Sequence, residues 1–145
     1  LYQSLGRGYE ASVGFRRLPF STTTDIYLGT LTRYVGNWMI TGKVFSVPDF
    51  EGPEDSLSFH GLVRRYVRGD GASFLTAGYS RGSAREEIGD SAELRQLDAD
   101  TFRAGAELLL GRTVVAVSGS TSRQERSRNG TLWQHSFGAS LSVFF

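Results

Sequence analysis

Nine charged or titratable residues fall among small, polar positions that alternate with apolar ones: Glu10, Arg16, Arg33, Lys43, His60, Arg64, Arg68, Arg103 and Glu107. Six of them are formal cations and two are carboxylates. Gathered on one face, such a set can do one of two things. Rings of Arg and Lys attract anionic or hydroxyl-rich solutes in a pore. Alternatively, Glu10 and Glu107 neutralise Arg16 and Arg103, and the charges become an ion-pair filling for a closed interior.

Covalent and metal chemistry find less support. A nucleophilic Ser needs a His within hydrogen-bond reach and a third group to orient it. The chain has two His. His60 shares its parity with Ser58, but Glu10 could orient it only from a strand that is not adjacent. His135 and Ser136 point to opposite faces of one strand. The expectation is therefore no enzymatic activity, with His60 as a hydrogen-bonding group. There is no Cys. The acidic stretch Asp49, Glu51, Glu54 and Asp55 does not follow a calcium-loop spacing, nor does the stretch from Glu86 to Asp100. No metal or cofactor is expected. A net charge of +1, without a dense basic cluster, gives no nucleic-acid footprint.

The elements that must position these residues read as strands, because apolar side chains recur at every second position. The outward apolar sets are Ala11, Val13 and Phe15; Ile26, Leu28 and Thr30; Trp38, Ile40 and Val44; and Leu57, Phe59 and Val63. They continue with Leu75, Ala77 and Tyr79, then Phe102, Ala104, Ala106 and Leu108. Thr113 to Ser122 is ambiguous, since Val114 to Val117 is continuously apolar. The last run places Trp133, His135, Phe137, Ala139, Leu141 and Val143 opposite Gln134, Ser136, Gly138, Ser140 and Ser142. That makes eight strands, with Tyr27, Phe45, Tyr66 and Phe74 as bulky members of the inner set. No apolar run approaches the roughly 20 residues of a membrane helix, but a membrane β-strand needs only about 9–11 alternating ones.

Connections alternate in character. Gly-bearing hairpin turns at Val35–Asn37, Arg68–Gly71 and Leu110–Arg112 separate longer polar stretches at 18–24, 46–56, 82–98 and 122–130. Short turns on the periplasmic side and longer outer loops are the habit of outer-membrane barrels. The C-terminus and residues 1–8 are then periplasmic. Tyr34, Trp38, Tyr79 and Trp133 lie near strand ends, as an aromatic girdle would. Gly138, Leu141, Val143 and the terminal Phe145 resemble the C-terminal signal read by the barrel-assembly machinery. Arg17 and Arg65 have outward parity and are expected at the membrane interfaces.

The order and spacing of several stretches resemble one family. Glu10–Leu18, Ile26–Gly29 followed by Tyr34–Trp38, Arg64–Val67 and Ala77–Ser80 are similar to YaiO-family outer-membrane proteins, over residues 9–145. The resemblance implies an all-β, antiparallel transmembrane barrel in which residues 1–145 are the C-terminal strands of a larger barrel of about twelve. Upstream hairpins, a signal peptide and a periplasmic helical-repeat domain would precede them. The implied location is the bacterial outer membrane. Outer-membrane lipid and lipopolysaccharide, and the assembly machinery during biogenesis, are the expected partners. Passage of a cell-surface glycan or another polar solute is the first functional reading. A filled anchoring or adhesive barrel is the second, and a soluble lipocalin-like ligand binder the third.

Overall fold

The computed structural model describes residues 1–19, 23–48, 56–87, 94–126 and 130–144. These form β1 (Tyr2–Gly6), β2 (Tyr9–Pro19), β3 (Thr23–Val35), β4 (Trp38–Val47), β5 (Ser56–Tyr66), β6 (Phe74–Glu87), β7 (Leu94–Leu110), β8 (Thr113–Arg126) and β9 (Gly130–Val143). The nine strands make one antiparallel meander in chain order. No helix among the described residues is long and apolar enough to cross a membrane, which says nothing about crossing by strands.

Alternation of side-chain character drives the fold. In β5 burial alternates at every residue: Leu57, Phe59, Val63 and Arg65 are exposed, while Ser58, His60, Leu62, Arg64 and Tyr66 are partly covered. A flat sheet would expose both faces alike, so the sheet curls around the second set. Register then carries the two faces from strand to strand. The outer face joins Val13, Gly29, Val44 and Phe59, and further round Ala77, Ala104, Gly119 and Phe137. Such an apolar exterior is the reverse of what a soluble lipocalin-like barrel requires.

Tight turns close one end of the sheet. Gly8, Gly36 and Gly111 all have positive φ (79°, 55° and 65°), which glycine adopts without a Cβ penalty. The β5–β6 connection, 67–73, is longer and is folded on itself by Asp70 and Ser73. Both β1 and β9 run toward this turn end. They make no contact with each other, so the described sheet is open, and its two edge strands point the same way.

Three features depart from the sequence reading. Tyr2–Gly6 is a ninth strand rather than a periplasmic lead-in, bonded to β2 in register Tyr2↔Ser12 and Gln3↔Ala11. The hairpins β6–β7 and β8–β9 extend far into the stretches read as long loops, because Glu87↔Leu94 and Arg126↔Gly130 still pair. The contrast between short and long connections is correspondingly weaker.

Candidate functional site

The inner face has three regions along the sheet. Its centre is cationic. Lys43 pairs opposite His60, which pairs opposite Ser80, and Arg103 stands opposite Gly78 one row toward the turn end. Gly78 is buried beneath Arg103; a Cβ there would lie 3.1 Å from Arg103 Cγ and 3.2 Å from the Gly61 carbonyl. The missing side chain thus lets the arginine lie flat across the sheet. His60 has both Arg103 and Lys43 as charged neighbours, and its ring meets Phe45 edge-on at 5.0 Å. Thr41, Lys43, Phe45, His60, Ser80 and Arg103 contribute to the wall of a 180 Å³ cavity, with no carboxylate among the described residues of its lining. The buried Thr32 and Thr41 hydroxyls bond each other at 2.9 Å beside it, which satisfies both inside the sheet.

The turn end of the inner face is aromatic. Arg64 holds its guanidinium 3.9 Å from the centre of the Phe74 ring, and its Nε is buried without a hydrogen-bond partner. Tyr66 packs edge-on to Phe74 at 6.1 Å. Glu10 lies beside the phenols of Tyr2 and Tyr34, and Glu107 pairs opposite Phe74.

From β7 to β9 the inner face bears hydroxyls, a feature that charged residues alone do not announce. Thr101 Oγ1 donates to Ser122 Oγ at 3.0 Å, and the Ser120 and Ser136 hydroxyls share a bond of 2.7 Å. Thr101, Ser120 and Ser136, with Thr76, Ser118 and Arg103, line a 420 Å³ concavity. The signal was present in the even-numbered serines of the last two strands, each too weak alone to suggest chemistry.

Arg16, Lys43, His60, Arg64, Arg103, Glu10 and Glu107 all project from the inner face by register. Among the described residues, Lys43, His60 and Arg103 come together, and Glu10 and Arg64 both neighbour Tyr34; Arg16 lies toward the loop end of β2. Three assignments are corrected. Arg33 is on the outer face, opposite Tyr9, with its guanidinium 5.0 Å from that ring's centre. Tyr34 is on the inner face, opposite Met39, and is not part of an outer girdle. Tyr27 likewise moves outward, opposite Phe15, with ring centroids 5.3 Å apart. The cause is that β3 is apolar on both faces: Leu28 packs inward opposite Phe45, so hydropathy alone assigns its parity wrongly. Arg68 belongs to the β5–β6 turn and donates to the Leu109 carbonyl at 3.1 Å.

Trp38, Tyr79 and Trp133 are on the outer face. Trp38 lies under Arg65, whose guanidinium is 5.3 Å from its ring, at the turn end. Trp133 stacks on His135 with centroids 6.5 Å apart. Gly138, Leu141 and Val143 lie on the free-edged β9, with Leu141 and Val143 outward; Phe145 lies outside the described residues, as do residues 49–55. Among the described residues, the ion pairs are all on the outer face: Arg17–Asp25 at 2.7 Å, Arg81–Asp100 at 3.9 Å and Arg123–Glu125 at 3.2 Å. The expected Glu10–Arg16 and Glu107–Arg103 pairs are not among them. No group of described His, Asp or Glu residues could hold a metal ion.

The family model of the YaiO membrane beta barrel domain matches residues 1–87, three-fifths of the chain, and the chain belongs to that family. No curated protein and no solved structure matches it.

Proposed function

Because this chain is a YaiO-family membrane β-barrel, we propose that its inner face lines a cationic passage for anionic or polar solutes, cell-surface glycan chains included. The observation that supports it most is the grouping of Lys43, His60 and Arg103 in one cavity that has no carboxylate among its described lining residues. A filling that packed these side chains away from water would have to neutralise them, since an unpaired buried charge is costly; here Lys43 and Arg103 stay exposed to solvent. Fixed cations left unpaired in a wet interior attract anions, and they also donate hydrogen bonds to sugar hydroxyls. The Ser and Thr lining from β7 to β9 extends the same preference, as it can exchange hydrogen bonds with a hydroxylated chain. The outer membrane of a Gram-negative cell is the location this reading assumes, with the turn end in the periplasm.

The second reading is a filled scaffold that anchors a periplasmic partner. The aromatic cluster of Tyr66 and Phe74 with Arg64 favours it, because these bulky side chains could close the turn end. Planar-bilayer recordings of the full-length protein under a salt gradient separate the two. A passage gives stable channels with anion preference, and Lys43→Glu or Arg103→Glu shifts the reversal potential toward cations. Inserted protein that stays silent, with both variants silent, rejects the passage.

A further inference from the structure

One register row of the inner face carries a hydrogen-bonding side chain on every strand from β2 to β9. Ser12 stands opposite Thr30, and Thr30 opposite Lys43. The row continues through His60, Ser80 and Thr101, then ends at Ser122 and Gln134. No apolar residue interrupts it. The neighbouring row toward the turn end is broken at Leu62 and Gly78, and the one toward the loop end at Leu28 and Phe45. Adjacent strands lie about 4.8 Å apart, so the row offers one hydrogen-bonding group per step of that length. A pyranose ring advances an extended glycan chain by a similar distance, which sets one sugar against each strand.

The row also slopes. Ser12 stands three residues from Tyr9 at the turn end of β2, His60 six from Tyr66, and Gln134 nine from Val143. With the turns level on one side of the membrane, it climbs toward the loops by about 20 Å of strand length. Strand tilt in a barrel has this effect: a row normal to the strands winds up the inner wall as a ramp.

Charge is confined to the middle of the ramp. Lys43 and His60 belong to it, and Arg103 reaches in from the next row, lying across Gly78. Arg103 lines both the 180 Å³ cavity and the 420 Å³ concavity, so the charged and hydroxyl stretches adjoin. From β6 onward the row carries only hydroxyls and the Gln134 amide. Thr101 Oγ1 donates to Ser122 Oγ at 3.0 Å, which leaves the Ser122 proton free to donate.

We propose, building on the passage reading above, that this ramp is the track of a glycan chain in which an acidic sugar recurs among neutral ones. Each ring exchanges hydrogen bonds with the side chain of one strand, and Lys43 and Arg103 meet the anionic group of the acidic ring. A chain charged on every sugar would carry anions over the β6–β9 stretch, where the row supplies no cation and their desolvation goes uncompensated. A neutral chain would leave Lys43 and Arg103 without a counter-charge.

Isothermal titration calorimetry on the full-length protein in lipid nanodiscs tests this without requiring ion flow. The probes are a hyaluronan hexasaccharide, acidic at alternate sugars, hexagalacturonate, acidic at every sugar, neutral maltohexaose, and free glucuronate. The hyaluronan hexasaccharide should bind at least about tenfold more tightly than the other three, the worth of one hydrogen bond to a charged group. Ser80→Ala and Ser122→Ala should each weaken it by about threefold. Ser140→Ala, on the inner face of β9 but off the row, should not. Heat-modifiable migration on gels reports folding of each variant. Glucuronate binding as tightly as the hyaluronan hexasaccharide would mean a lone anion site. Equal binding of hexagalacturonate or maltohexaose would remove the charge spacing, and unchanged binding by folded Ser80→Ala and Ser122→Ala would remove the track. Each of these overturns the proposal even where bilayer recordings show anion-selective channels. Preferential binding by a barrel that passes no current would keep the track and reject the passage.

Discussion

Arg64 and Phe74 meet across the β5–β6 pair with the guanidinium carbon 3.9 Å from the ring centre, on the inner face beside the turn end. Among the described residues, the contact is closer than the other three cation–aromatic contacts, which lie at 5.0–5.7 Å and are on the outer face. A partly desolvated cation on a ring face is worth about 0.5–2 kcal/mol. Phe74→Leu keeps most of the bulk and removes the ring's quadrupole, so it should lose stability within that range in guanidine unfolding of the reconstituted barrel. Phe74→Ala also removes the bulk that could close the turn end. Single-channel conductance should rise in the alanine variant and stay near wild type in the leucine variant.

Ser73 is the one fully buried side chain of its size class or larger among the described residues. Its hydroxyl donates to Asp70 Oδ2 at 2.7 Å and accepts from the Leu109 amide at 3.0 Å, tying the β5–β6 turn to the end of β7. Ser73→Ala strands both partners and should cost about 1–3 kcal/mol, read as a lower unfolding midpoint.

The same turn should respond to acid. The Ser73 hydroxyl, then the Ser73 and Ala72 amides and the Arg68 charge, hold the Asp70 carboxyl below the usual carboxylate range. A carboxyl whose folded pKa lies below its unfolded one contributes stability above the unfolded value, about 3.9, and loses it as pH falls through the folded value. Unfolding midpoints of wild type and Asp70→Asn should therefore differ at pH 7 and converge below about pH 4. A gap that persists in acid would mean that the ionised carboxylate is not what the turn uses.

Two turn glycines should behave differently. Gly36 has φ 55°, and a Cβ there would meet nothing within 4 Å, so Gly36→Ala bears only the left-handed backbone cost, about 1–2 kcal/mol. At Gly8, φ is 79° and a Cβ would lie 2.5 Å from the Tyr34 carbonyl oxygen, while Tyr34 N donates to the Gly8 carbonyl at 2.8 Å. Gly8→Ala must displace backbone and break that bond. It should be the more damaging, measured as the folded fraction after refolding into detergent.

Strand identity was legible wherever one face was apolar and the other small or charged, as from Leu57 to Tyr66. On β3 the strand was read correctly but its faces were exchanged: Leu28 and Ile26 face inward and Tyr27 and Leu31 face outward. Turn chemistry held the correction. A two-residue Gly36–Asn37 turn makes Val35 and Trp38 opposite neighbours, so an outward Trp38 forces Val35 and Arg33 outward too. The central cavity was legible only as a set of charges. Which of them meet depends on register, and on the absence of a side chain at Gly78, which no periodicity reports. Five residues ending in Gly6 gave β1 too little alternation to stand out.

Two of the outer-face arginines, Arg17 and Arg65, lie toward the ends of their strands. Arg17 lies toward the loop end in a bidentate pair with Asp25, at 2.7 and 2.8 Å, and Arg65 sits one residue from the end of β5 over Trp38. Outward positions such as Val44, Gly61, Ala77 and Ala104 are apolar or small, while the paired Arg81 and Asp100 follow Phe59 round the same face. An arginine at the midplane of a barrel costs about 2–4 kcal/mol, and near an interface about 0–1. Val44→Arg should therefore lose about 2–4 kcal/mol when folding is followed into lipid vesicles. Arg17→Ala should change stability by less than about 1 kcal/mol, because its partner pair is largely solvated and an exposed pair contributes little. If Val44→Arg folded into vesicles as readily as the wild type, the outer face of β4 would not be in contact with hydrocarbon. The inner and outer faces of the sheet would then have to be exchanged.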